Sequence, residues 1–139
     1  MNIQISSSQN IYDALFKSKE TVDMEYEDVR NWVTDILENP DREKHESCEI
    51  CGSDKQLELH HIRGRKHGTE CITVCKECHK TLTDNQRLWD RSWLDHESEN
   101  NESFLIRGLI DVCKLKYEKT QIEIYRLFAE KLTERFSYD

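Results

Sequence analysis

At 139 residues, with 36% hydrophobic and 35% charged residues and a net charge of −8, the chain suffices for one modest domain and is polar for a globular protein. It has no apolar run approaching a membrane span, and its periodic aromatics argue against disorder. The opening Met1-Asn2-Ile3-Gln4 shows neither a basic nor an apolar leader region, so a cytoplasmic, reducing setting is expected and a disulfide framework is not.

In chain order, Ile11, Leu15 and Phe16 predict a short helix over residues 9–18. From Glu25 to Asn39, Val29, Trp32, Val33, Ile36 and Leu37 recur at helical spacing, and Pro40 ends the run. Residues 1–41 thus read as an N-terminal helical extension. Residues 42–95 read as a compact core of strand, loop, strand and helix. Leu57–Ile62 is β-prone, Arg63–Gly68 is a glycine-punctuated turn, Ile72–Val74 is a short strand, and Cys78-His79 opens a helix. Thr83-Asp84-Asn85-Gln86 fits a capping box, which predicts that a second helix starts at Thr83 and carries Leu88, Trp89, Trp93 and Leu94. Residues 95–103 contain nothing apolar and read as an exposed connection.

Residues 96–139 are predicted to be a helical segment with two apolar stripes. One runs through Phe104, Leu105, Gly108, Leu109 and Val112; the other runs through Ile122, Tyr125, Phe128, Ala129 and Leu132, with Thr120–Glu123 as its cap. Such stripes serve a core or a dimer face rather than a cofactor site. The class is therefore α+β, mainly α overall.

The chemistry sits in the middle. Cys48 and Cys51 form one Cys-x-x-Cys pair, Cys75 and Cys78 another, and His60-His61 lies between them, with His79 directly after the second. In a reducing compartment paired motifs of this kind read as ligands of a structural Zn²⁺, whose soft thiolates close a tetrahedron without an open position. Gly52, directly after Cys51, suits the tight knuckle turn because glycine tolerates positive φ. Cys71 and Cys113 stand outside the pattern and read as small buried hydrophobes. The histidines are then left for other work. A harder ion such as Mg²⁺ or Mn²⁺ beside an unligated imidazole supplies a Lewis acid and a general base for attack on a phosphodiester.

Charge is unevenly spread. Residues 1–41 carry three basic residues against nine acidic, and 92–139 carry seven against ten, whereas 42–91 carry ten against nine. Arg63, Arg65, Lys66 and Lys80 follow the double histidine and are the candidate phosphate contacts, although so small an excess also fits an ordinary solvated loop.

Taken together, Cys48-x-x-Cys51-Gly52, Leu57-Glu58-Leu59-His60-His61-Ile62 and Cys75-x-x-Cys78-His79 resemble the HNH, or His-Me finger, endonuclease family, in its small zinc-containing branch. The resemblance covers about residues 46–94. It implies a treble-clef (ββα-metal) zinc core with flanking amphipathic helices. It further implies that His60 and His79 ligate a catalytic Mg²⁺ or Mn²⁺, that His61 is the general base, and that the substrate is nucleic acid, DNA being the expected polymer. An imidazole suits the base, because its ordinary pKa near ~6.5 leaves it mostly neutral at pH 7. Strand alternation sends His60 and His61 to opposite faces, so both serve one site only if the strand twists or ends there.

One position departs from the family. Counting back from His79 by the family's spacing lands on Glu70, where the family has asparagine. Glu70 suits metal ligation, hydrogen bonding to a histidine, or a site that has lost its support. His67 reads as an exposed loop residue. Two other functional classes compete with the nuclease: a zinc-stabilised module that binds nucleic acid or a protein without catalysis, and a purely structural zinc domain in which His60 and His61 are buried and satisfied. The acidic flanking helices leave a homodimer or a protein partner open.

Overall fold

The structure, a computed structural model, describes residues 11, 12, 15, 24–39, 41–64, 68–89 and 102–136. Helix α1 (Met24–Glu38) buries Val29, Val33 and Ile36, the residues whose spacing predicts it, and stops before Pro40. Ile11, Tyr12 and Leu15 are also helical, and Ile11 and Leu15 are buried in the core; Phe16 lies outside the described residues.

Strands β1 (Leu57–His61) and β2 (Cys71–Cys75) pair antiparallel, in a register running from Leu57 opposite Cys75 to His61 opposite Cys71. A two-stranded ribbon is marginal alone, so both of its faces need cover. Alternation puts Glu58, His60, Ile72 and Val74 on one face and Leu57, Leu59, His61, Cys71, Thr73 and Cys75 on the other. Helix α2 (Lys76–Gln86) follows β2 without a linker, because Cys75 is itself the N-cap and its sulfur accepts from Cys78 N.

Helices α3 (Glu102–Thr120) and α4 (Glu123–Phe136) are joined by residues 121 and 122; Thr120, predicted to cap α4, is instead the last residue of α3, and its Oγ1 accepts from Ile122 N of the connection at 3.2 Å. Their stripes form core: Leu105, Leu109, Val112, Phe128, Ala129 and Leu132 are buried with the hairpin and α1 in one continuous cluster. Tyr26 meets Phe128 and Trp32 meets Tyr125 edge-on, with ring centroids 6.2 and 5.9 Å apart. Gly108 presses α3 against the end of β1, where any Cβ would collide with the Ile62 carbonyl. The histidine-bearing strand end is thereby fixed by a helix that is remote from it in sequence.

The fold is thus α+β and mainly helical. One predicted element is corrected: Thr83–Gln86 form the last turn of α2 and do not begin a new helix. A capping box needs a non-helical residue at its start, and the helix begun at Lys76 runs straight through Thr83. Trp89 lies just past α2, stacked on Phe104 and donating to Asp111 Oδ2 at 2.9 Å; Trp93 and Leu94 lie outside the described residues. Ser103, predicted to be exposed, is buried inside α3; residues 95–101 lie outside the described ones.

Candidate functional site

The knuckle between α1 and β1 and the N-terminus of α2 bring four sulfurs together. The Sγ atoms of Cys48, Cys51, Cys75 and Cys78 all lie within 4.8 Å of one another, and those of Cys51 and Cys75 are 3.7 Å apart. A tetrahedral ion with ~2.3 Å metal–sulfur bonds has sulfur–sulfur edges of about 3.8 Å, so the donors fit Zn²⁺. Backbone N–H groups are already aimed at the sulfurs: Ile50 N and Cys51 N reach Cys48 Sγ at 3.4 Å, and Cys78 N reaches Cys75 Sγ at 3.5 Å. Gly52 takes φ +83°, the conformation its knuckle position calls for.

Burial alone would raise the Cys48 thiol, but the surrounding backbone N–H groups outweigh it and bring Cys48 down to about 7. Burial and the neighbouring thiols push Cys78 up. Four thiols crowded together resist simultaneous ionisation, and a divalent cation relieves that repulsion. Cys113 is buried in the core, its thiol pushed up to about 12 by that burial; Cys71 is half-buried at the end of the hairpin.

Glu49, inside the knuckle, is a hub the sequence did not reveal. Its side chain is only 4% exposed and accepts from Trp32 Nε1 (3.1 Å), Thr73 N (2.6 Å), Arg42 Nη1 (3.2 Å) and Arg42 Nη2. Arg42 reaches on to Asp35 Oδ2 at 2.6 Å and to the Cys71 carbonyl at 2.8 Å. Lys116 of α3 donates to the Glu49 carbonyl, its ammonium 4.1 Å above the Trp32 ring. Burial opposes ionisation of Glu49, but the Arg42 guanidinium prevails and holds the carboxyl below its ordinary range. A Glu inside a Cys-x-x-Cys pair reads as a solvated knuckle residue; only the packing of α1 and α3 over it makes it a buried anion.

At the other end of the hairpin, His60 is 2% exposed and its ring lies edge-on to His79 of α2, centroids 5.5 Å apart. Burial, then the nearness of His79 and His61, lowers His60 to about 3, so its imidazole is neutral. Glu58, two residues earlier on the same face of β1, stands 3.1 Å from His79 Nδ1 through Oε2. Gln86 closes the end of α2, donating to the His61 carbonyl at 2.9 Å with its amide nitrogen 3.4 Å from His60 Nε2.

His61 is half-buried and points to the opposite face, but it is the last residue of β1, and the chain turns immediately through Ile62 and Arg63. The double histidine and the final cysteine–histidine announced His60, His61 and His79. Glu58 had a signal too, in its i, i+2 relation to His60, whereas Gln86 had none.

Glu70 is taken up by Arg63 in a two-point pair, Nε to Oε1 at 2.8 Å and Nη2 to Oε2 at 2.7 Å, beside the Ile62 N to Glu70 O bond of 2.9 Å. It clasps the loop after His61. Lys80 is exposed and paired with Asp84 at 2.7 Å. Arg65, Lys66 and His67 lie outside the described residues. An open groove of 590 Å³ runs along α2, lined by Glu58, Lys76, His79, Lys80, Asp84 and Arg87 among others. Among the described residues no helix is long and apolar enough to cross a membrane. Compared with known proteins, the chain matches no family model, no curated protein and no solved structure at a significant level.

Proposed function

We propose that this protein is an HNH-type endonuclease that hydrolyses phosphodiesters of nucleic acid, DNA being the expected substrate, on a treble-clef core held by zinc at Cys48, Cys51, Cys75 and Cys78. The observation that carries the reading is the contact between the His60 and His79 rings beside a strand that ends on His61. His60 and His79 would hold a divalent ion between them, with phosphate and water oxygens completing its shell. Two nitrogen donors with oxygen co-ligands suit Mn²⁺ at least as well as Mg²⁺. Bound there, the ion supplies charge stabilisation at the phosphate and at the departing oxygen.

The remaining work falls to the chain. His61 accepts a proton from water as the water oxygen bonds to phosphorus, and the bond from phosphorus to the 3′ oxygen breaks, the leaving oxygen taking a proton from solvent. Burial keeps His60 unprotonated, so it does not repel a cation. Gln86 ties the His61 carbonyl to α2, and the Arg63–Glu70 clasp holds the following loop, which together fix the backbone that carries the base. Glu70 thus takes a bracing part through Arg63 where the family uses asparagine.

The test is nicking of supercoiled plasmid with Mg²⁺ or Mn²⁺. His61→Ala is expected to reduce nicking about 10²–10⁴-fold while zinc content and melting temperature stay near wild type. Unchanged nicking would remove His61 from the mechanism. A second reading, a zinc-stabilised binding module without catalysis, draws support from the engaged Glu70 carboxylate and the acidic flanks. A wild type that retards nucleic acid or captures a protein, yet nicks nothing with any divalent ion, would establish that reading instead.

A further inference from the structure

Among the described residues, Glu58 is the one carboxylate in contact with the histidine pair, and it sits where a strand face and a helix meet. It shares the His60 face of β1 by strict alternation, two residues earlier, and its Oε2 lies 3.1 Å from His79 Nδ1. An ionised carboxylate only accepts hydrogen bonds, so at this distance the proton of the His79 ring belongs on Nδ1. The lone pair of His79 then resides on Nε2. A plain surface ion pair is the competing explanation, since Glu58 is 44% exposed and exposed pairs contribute little to stability.

We infer that Glu58 is a positioning residue: it sets the tautomer and ring orientation of His79 so that Nε2 is the ligand atom beside His60. This rests on the proposed function, in which His79 holds the divalent ion. Metal-ligating histidines commonly give their other ring N–H to a carboxylate, which fixes the ring and raises its basicity, and loss of such a partner typically costs about 10–100-fold in metal affinity. His60 needs no such partner, because close packing immobilises it and its amide neighbour is Gln86. The two imidazoles are therefore held by different means: one by burial, the other by charge. Glu58 and His79 both line the open groove along α2, so this pair is accessible from solvent.

The experiment uses the full zinc-loaded chain and Mn²⁺ alone as the probe. Mn²⁺ binding is measured directly by electron paramagnetic resonance, and plasmid nicking is measured against Mn²⁺ concentration. Glu58→Ala is expected to weaken Mn²⁺ binding about 10–100-fold and to raise the half-saturating Mn²⁺ for nicking in parallel. The nicking rate at saturating Mn²⁺, zinc content and melting temperature should stay near wild type. Glu58→Gln, which keeps an acceptor but not the charge, should fall between the two. Wild-type Mn²⁺ affinity in Glu58→Ala, with normal nicking, would overturn the positioning role while leaving the nuclease intact. A wild type that binds no Mn²⁺ beyond its zinc and nicks nothing would overturn the nuclease reading and this inference with it.

Discussion

The two ends of the β1–β2 hairpin carry donors of different kinds in opposite settings. At the Leu57–Cys75 end, four thiols face one another within 4.8 Å, backbone N–H groups point at the sulfurs, and the buried Glu49 locks the knuckle to α1 and α3. Toward the His61–Cys71 end, the buried His60 ring meets that of His79, which with the half-exposed Glu58 lines an open groove along α2. Four sulfur donors at tetrahedral spacing suit an ion that holds a fold together, whereas the histidine end combines a buried imidazole, His60, with the part-exposed His79 and Glu58.

The contrast breaks first at the cysteine end. Cys78→Ser is expected to abolish zinc binding and with it the fold, because structural zinc binding in small zinc modules is worth about 10–16 kcal/mol. Circular dichroism and metal analysis check it, and a zinc-free variant with wild-type helicity and melting would show that the helices, not the ion, hold the core.

A smaller effect is expected from the hub beside the ion. Arg42→Met leaves Glu49 buried without its cation, and breaking such a pair from one side costs about 3–5 kcal/mol. Denaturant titration should show that loss in the zinc-loaded protein. A change under about 1 kcal/mol would place Glu49 among ordinary surface pairs, against the 6% and 4% side-chain exposure of the two partners.

The smallest effect concerns Asp111, at the far side of α3 from the hub. Burial raises its carboxyl above the ordinary 3.8, against the opposing pull of the Trp89 N–H and Arg107. An acid whose folded pKa is raised holds a proton in the folded state that the unfolded chain has released, so its stability contribution is full below 3.8 and declines as pH rises through the raised value. Asp111→Asn has no such titration and keeps an acceptor for Trp89. Wild type should therefore gain stability relative to Asp111→Asn between pH 7 and pH 4, read from paired melting curves. A difference moving the other way would mean that Arg107 outweighs burial at this carboxylate.

Much of this was legible before any coordinates. The period of Val29, Val33 and Ile36 gave α1, the β-prone runs gave both strands, and the two Cys-x-x-Cys pairs with Gly52 gave the four-sulfur cluster down to its positive φ. Those signals are local, since ligand spacing and side-chain period depend on a few consecutive residues. What only the tertiary structure decided depends on elements far apart in sequence. Glu49 becomes a buried anion because Trp32 and Arg42 come from one side and Lys116 from the other. Thr83 lies inside α2 because Cys75 had already capped that helix, a competition that a four-residue motif does not express. Glu70 closes on Arg63 rather than on a histidine because the hairpin brings the loop's two ends together. Spacing marked out the cysteines and histidines; packing decided which of them are buried and which face water.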